Sequence, residues 1–158
     1  MRHAIVTETY PPEVNGVALT VQGLEHGLRA LGHEVLLVRP RQESDSTTQD
    51  KDTLLVRGAG LPRYPGLKFS LPATQALLKQ WTAAPPDSIY VATEGPLGWS
   101  ALRAARKLGI PIATGFHTGF DQYMRGYGLL LLEQTALTGM RPIHNGADTT
   151  LVPTRELE

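Results

Sequence analysis

Residues 3 to 39 constrain the fold more than any other part of the chain. Ala4-Ile5-Val6 is a short apolar run. Val17, Val21, Leu24, Leu28 and Leu31 then recur at spacings of four, three, four and three, which is one face of a helix. Gly32 follows where a left-handed residue would end that helix. Val35-Leu36-Leu37-Val38 is apolar without a break, as a strand buried on both faces requires. Strand, helix, strand in that order is the βαβ unit of a parallel sheet.

The alternation continues. Strands are expected at 53–56, 89–92, 112–116 and 149–152. Helices are expected at 73–81, at 96–108 and, bent near Gly128 and Pro142, at 122–145. Pro96 suits a first helical position, Leu97, Ala101, Ala104 and Leu108 share a face, and Gly109 stops the helix. Residues 41–52 are polar and without period, so they read as an exposed loop. Residues 58–72 hold three prolines and three glycines and read as irregular chain, a mobile lip. The class is α/β, a Rossmann-like open parallel sheet flanked by helices.

With 158 residues the chain fits one domain. Its 15 basic and 15 acidic residues cancel, so no basic excess points to nucleic acid. Cysteine is absent, which removes disulfides and thiolate metal sites. Apolar runs are too short to span a bilayer, and no signal segment precedes the first strand, so a cytoplasmic location is expected. The domain is expected over residues 1–156, with Leu157-Glu158 reading as a cloning scar on a chain cut from a longer protein.

Open parallel sheets bind ligands beyond the carboxyl ends of their strands. That rule selects residues 7–16, 93–96, 117–121 and 153–155. In TETYPPEVNGV, Pro11 and Pro12 stiffen the loop and project Tyr10 and Glu13 into a cleft. Asn15-Gly16 then tolerates unusual backbone angles and brings helix N–H groups to a phosphate. A plain N-cap with a turn glycine is the alternative. Glu94 is placed to accept from sugar hydroxyls or to face a helix dipole. His117, directly after a buried strand, is placed to bond a hydroxyl or carry a proton, or else to bond backbone. Tyr123 and Tyr127 are four apart with Arg125 between them, placed to line a carbohydrate or lipid headgroup site or to pack in the core. No zinc spacing, P-loop, nucleophile triad or G-x-G-x-x-G appears, and the last absence weighs against a nicotinamide enzyme.

Three segments carry a family resemblance. YPPEVNGVALTVQGLEHGLRALGHEVLLVRP resembles the start of family-4 retaining glycosyltransferases of GT-B fold. FHTGFDQYMRGYGL and IHNGADTTLVPT resemble later parts of the same N-terminal domain. The similarity is to the subgroup that glycosylates lipids, mannosyl- and sulfoquinovosyl-transferases among them. It implies two Rossmann-like halves, with this chain the acceptor-side N-terminal half and the nucleotide-sugar half outside it. It implies a nucleotide sugar as co-substrate, no other cofactor, no metal, and a lipid or polyol acceptor. Gly16 with Asn15 would meet the donor diphosphate, and His117 would lie by the transferred sugar. Tyr10, Glu13, Glu94, Tyr123, Arg125 and Tyr127 would line the acceptor side. Peripheral contact with the inner face of the membrane is a further expectation, against which PATQALLKQW carries one lysine only. This half alone is expected to be inactive. The rival reading is a non-catalytic Rossmann-like module that binds a nucleotide or a partner.

Overall fold

The computed structural model describes residues 1–45, 50–61, 64–116 and 142–152, and of residues 61 and 64–68 the backbone alone. Among them β1 (Arg2–Val6), α1 (Gly16–Ala30), β2 (Glu34–Pro40) and β3 (Thr53–Val56) are followed by β4 (Gly58–Leu61) and β5 (Tyr64–Ser70). Then come α2 (Thr74–Ala83), β6 (Ser88–Val91), α3 (Pro96–Leu108), β7 (Ile112–Gly115) and β8 (Thr149–Leu151). Residues 142–146 form a helical turn ahead of β8.

Six strands make one sheet in the order β3-β2-β1-β6-β7-β8, and every neighbouring pair is parallel. Alternating side chains divide the core between its faces. Ala4, Val6, Leu36, Val38, Ile89, Val91 and Ile112 pack with Leu77 and Trp81 of α2 and Leu97, Ala101, Leu102 and Ala105 of α3. Ile5, Val35, Leu37 and Ala92 pack with Val21 of α1 on the other face. α1 leads from β1 to β2 on one side, while α3 leads from β6 to β7 on the other. The sheet therefore changes direction between β1 and β6, the crevice where such folds hold ligands.

The helix ends follow the sequence signals. Gly32 has φ 83°, and its N–H donates to the Arg29 carbonyl while that of His33 donates to Leu28, both at 3.0 Å. Pro96 opens α3 and Gly109, at φ 67°, closes it.

One expectation needs correction. Within 58–72, expected to be irregular, β4 and β5 pair as a separate antiparallel ribbon. Both strands of a two-stranded ribbon are edges, and edges tolerate the proline and glycine that read as breakers in the sequence. The apolar stripe of α1, a helix as expected, is buried only in part. Val21 is buried and Val17 and Leu28 pack against the core, but Leu24 and Leu31 are 38% and 77% exposed. Leu24 borders a groove of about 320 Å³ over β6, β7 and β8, on the α1 face of the sheet.

Candidate functional site

The first connection leaves β1 at the carboxyl edge and folds back on itself. The Thr9 hydroxyl donates to Glu13 at 2.6 Å and accepts from the Asn15 amide at 2.7 Å. Gln42, beyond β2, donates to the Tyr10 carbonyl at 2.7 Å and to Glu13 at 3.2 Å. The peptide bond Pro11-Pro12 is cis. The Tyr10 hydroxyl donates to Glu25 of α1, and burial with that carboxylate pushes it up to about 12. Arg39 lies 5.8 Å from the Tyr10 ring centre and is held by Asp45 at 2.5 Å. Tyr10 and Glu13, expected to project into a cleft, are thus bonded within the loop and to α1. The exposed tip is Val14, at 92%.

Asn15 is a true N-cap: its side chain accepts from the Ala18 N–H at 2.8 Å. Its backbone is extended, and Gly16 is not among the positive-φ glycines, so the unusual angles expected of the pair are not used. What the glycine provides is space. A Cβ built on Gly16 meets nothing within 4 Å. Among the described residues nothing bonds the Gly16 and Val17 amides. The N-terminus of α1, its first two amides unbonded among the described residues, lies at the carboxyl edge.

The β6–α3 connection is closed instead. Glu8, only 5% exposed, accepts from the Ser70 N–H at 2.7 Å, the Ser70 hydroxyl at 3.0 Å and the Leu97 N–H at 2.9 Å. Its own N–H donates to the Thr93 hydroxyl at 2.8 Å. Burial raises the Glu8 carboxyl above the usual range, against the lowering effect of those donors. Gly95 must be glycine here, because a Cβ would lie 2.3 Å from Glu8 Oε1.

Glu94 does not face open space either. Its side chain is 3% exposed, and Oε1 sits 3.2 Å from Nε2 of His144. Burial pushes the Glu94 carboxyl up to about 7 and moves His144 down. His144 Nδ1 is 2.8 Å from the Thr114 hydroxyl, which is 3.0 Å from that of Thr150. The Phe116 ring stands edge-on to the imidazole at 5.7 Å. This chain of polar groups ties β6, β7 and β8 together at their carboxyl ends. His117, Tyr123, Arg125 and Tyr127 lie outside the described residues, as do the connections 117–121 and 153–155. Among the described residues no three His, Asp or Glu side chains converge as metal ligands, and no helix is long and apolar enough to cross a membrane.

Sequence reasoning missed Glu8 and His144. Glu8 is one of two carboxylates in TETYPPEVNGV, and the signal for it was Gly95 beside Pro96, a helix start without a capping side chain. His144 was legible only as a helical residue.

An open parallel sheet flanked by helices, with α1 beginning beside its switch point, defines a Rossmann-like α/β domain. The chain belongs to Glycosyltransferase Family 4, which matches residues 14–158. It is 32% identical, over 97% of its length and 42% of the relative's, to the GDP-mannose-dependent alpha-mannosyltransferase of Mycobacterium tuberculosis (strain CDC 1551 / Oshkosh). It is 30% identical to the alpha-monoglucosyldiacylglycerol synthase of Acholeplasma laidlawii, over 83% of this chain and 33% of that one. It is 27% identical to a sulfoquinovosyl transferase of Arabidopsis thaliana, over 96% and 30%. Among solved structures, an alpha-glucosyltransferase in complex with UDP and DNA superposes with a TM-score of 0.53 at 17% identity, over 98% of this chain and 37% of that one. The last likeness shows the fold alone, the Rossmann-like half of the GT-B architecture. The chain spans well under half the length of these relatives.

Proposed function

We propose that this domain is the acceptor-side half of a retaining glycosyltransferase that moves a hexose from a nucleotide sugar to a lipid or polyol. The observation that carries the reading is the open N-terminus of α1. The free amides of Gly16 and Val17 and the space above Gly16 suit a diphosphate. Family membership supports reading that diphosphate as part of a sugar donor. Relatives named for a GDP-mannose donor and for a diacylglycerol product supply the classes of donor and acceptor.

In this mechanism the acceptor hydroxyl attacks the anomeric carbon on the face that the diphosphate leaves. The leaving phosphate takes the hydroxyl proton, so a strong protein base is not required. Backbone N–H groups stabilise the charge growing on the diphosphate, and each such donor contributes on the order of 3 kcal/mol. His117 orients and polarises the acceptor hydroxyl, and Tyr123, Arg125 and Tyr127 line the acceptor. The Tyr10–Glu13 loop forms the near wall of the cleft and contributes its exposed Val14 tip. Glu94, bonded to His144, supports the strand ends and does not touch the acceptor. A nucleotide sugar is the only co-substrate. The enzyme works in the cytoplasm and docks at the inner face of the membrane when the acceptor is a lipid.

The test is transfer by the complete protein, supplied with GDP-mannose and vesicles containing diacylglycerol. A product with the donor's anomeric configuration is expected. An inverted product would refute retention, and no transfer to any lipid or polyol from any nucleotide sugar would refute the reading as a whole.

A further inference from the structure

Two helices begin beside the switch-point crevice, α1 after β1 and α3 after β6. A helix start with free amides attracts anions, so either could draw a phosphate. The two are built differently. At α1, among the described residues, the Gly16 and Val17 amides are unbonded and nothing lies within 4 Å of a Cβ at Gly16. At α3 the N-cap is Gly95, which has no side chain to cap with, and the first residue is Pro96, which has no N–H. The first amide of the helix, that of Leu97, donates to Glu8 at 2.9 Å. The next residue, Gly98, is packed so closely that a Cβ would meet the Thr93 carbonyl at 2.6 Å.

Glu8 reaches this position from the end of β1, across the crevice. Its second oxygen accepts the Ser70 N–H at 2.7 Å, and the Ser70 hydroxyl completes the set at 3.0 Å. Two backbone amides and one hydroxyl converge on a carboxyl group that is 5% exposed. That is the donor set of an anion receptor, occupied from within the chain.

We propose that Glu8 is a built-in occupant of the α3 N-terminus that makes the crevice one-sided. It denies that helix start to phosphate and carboxylate ligands and leaves α1 as the one at the crevice that can receive them. The part of this concerning α1 rests on the diphosphate reading above, and the part concerning Glu8 does not. Glu8 is then a specificity-determining residue that fixes which side of the crevice takes the donor. The tightness of Gly95 against Oε1 belongs to the same device, because any larger residue would push the carboxyl out of its seat.

The experiment follows backbone amide resonances of the protein in titrations with inorganic phosphate, acetate and acetamide. In the wild type, phosphate should move Gly16 and Val17, and neither phosphate nor acetate should move Ser70 or Leu97. In Glu8→Ala, the lost carboxyl leaves a space of acetate's shape. Acetate should then move Ser70 and Leu97, raise the Tm, and bind at least about tenfold more tightly than acetamide, its neutral isostere. A folded Glu8→Ala protein that ignores acetate, or that takes acetamide equally well, would overturn the assignment. So would a phosphate response at Leu97 in the wild type, a measurement that needs no variant and stands if Glu8→Ala does not fold. Silence of Gly16 and Val17 toward phosphate would overturn the reading of α1 and leave that of Glu8 to the acetate result.

Discussion

Single residues decide this site by the room they leave. Gly16 and Gly95 both sit at helix starts, yet a Cβ meets nothing at the first and Glu8 at 2.3 Å at the second. Gly95→Ala should therefore destabilise the protein by about 1–3 kcal/mol, the range of an overpacked interior. Gly16→Ala should leave stability unchanged or raise it by about 0.4–1 kcal/mol, because it only restricts the unfolded chain. Denaturant unfolding of both variants checks the contrast. Glu94 gives a pH signature. Burial pushes its carboxyl from the ordinary 4.5 up to about 7, so the folded state binds the proton more tightly. Stability from this group is complete below about pH 4.5 and is lost as pH rises to about 7, a total of roughly 3 kcal/mol. His144, moved down by burial, acts in the opposite sense below its own ordinary pKa of 6.5. The difference between wild type and Glu94→Gln isolates the carboxyl. Glu94→Gln should gain relative stability steadily between about pH 4.5 and 7, and a pH-independent difference would contradict the burial argument.

At the scale of elements, much of the chain was legible because its signals are local. β1, α1, β2 and the ends of α1 and α3 follow from apolar spacing and from two glycines with positive φ. What was not legible depends on partners distant in sequence. Glu8 meets Ser70 and Leu97 across 62 and 89 positions, and His144 meets Glu94 across 50. No spacing rule carries such pairings. The β4–β5 ribbon was hidden for another reason, since proline and glycine mark breaks in a sheet but not at an edge. A two-stranded ribbon is only marginally stable by itself. Its amides should exchange with solvent faster than those of β1 and β6, and equal protection would show that the ribbon opens only with the whole domain. The stripe on α1 makes a further prediction. Val21→Ala should cost about 1–3 kcal/mol, because Val21 is 1% exposed, whereas Leu24→Ala should cost less, since Leu24 is 38% exposed. Equal losses would place Leu24 in the core.

At the scale of the whole molecule, the proposed function makes this domain one face of a reaction. The sheet brings its strand ends to one edge, α1 opens an N-terminus there, and Glu8 closes the other. The chain spans 42% of the GDP-mannose-dependent alpha-mannosyltransferase that it matches, and the proposed function places the nucleotide-sugar half in the remainder of the complete protein. The complete protein should transfer sugar while this chain alone should not, and turnover by the chain alone would refute the two-half reading. The central claim is that Gly16 leaves space for the donor diphosphate, and the most direct measurement is nucleotide-sugar affinity of the complete protein with Gly16→Val. No neighbour obstructs a side chain at that position and the backbone is not left-handed, so folding stability should fall by less than about 1 kcal/mol. A branched side chain over the free amides should weaken donor binding by about 10²-fold, or about 2.7 kcal/mol. Unchanged donor affinity in a folded Gly16→Val protein would contradict the account, leaving Asn15-Gly16 as a helix cap and nothing more.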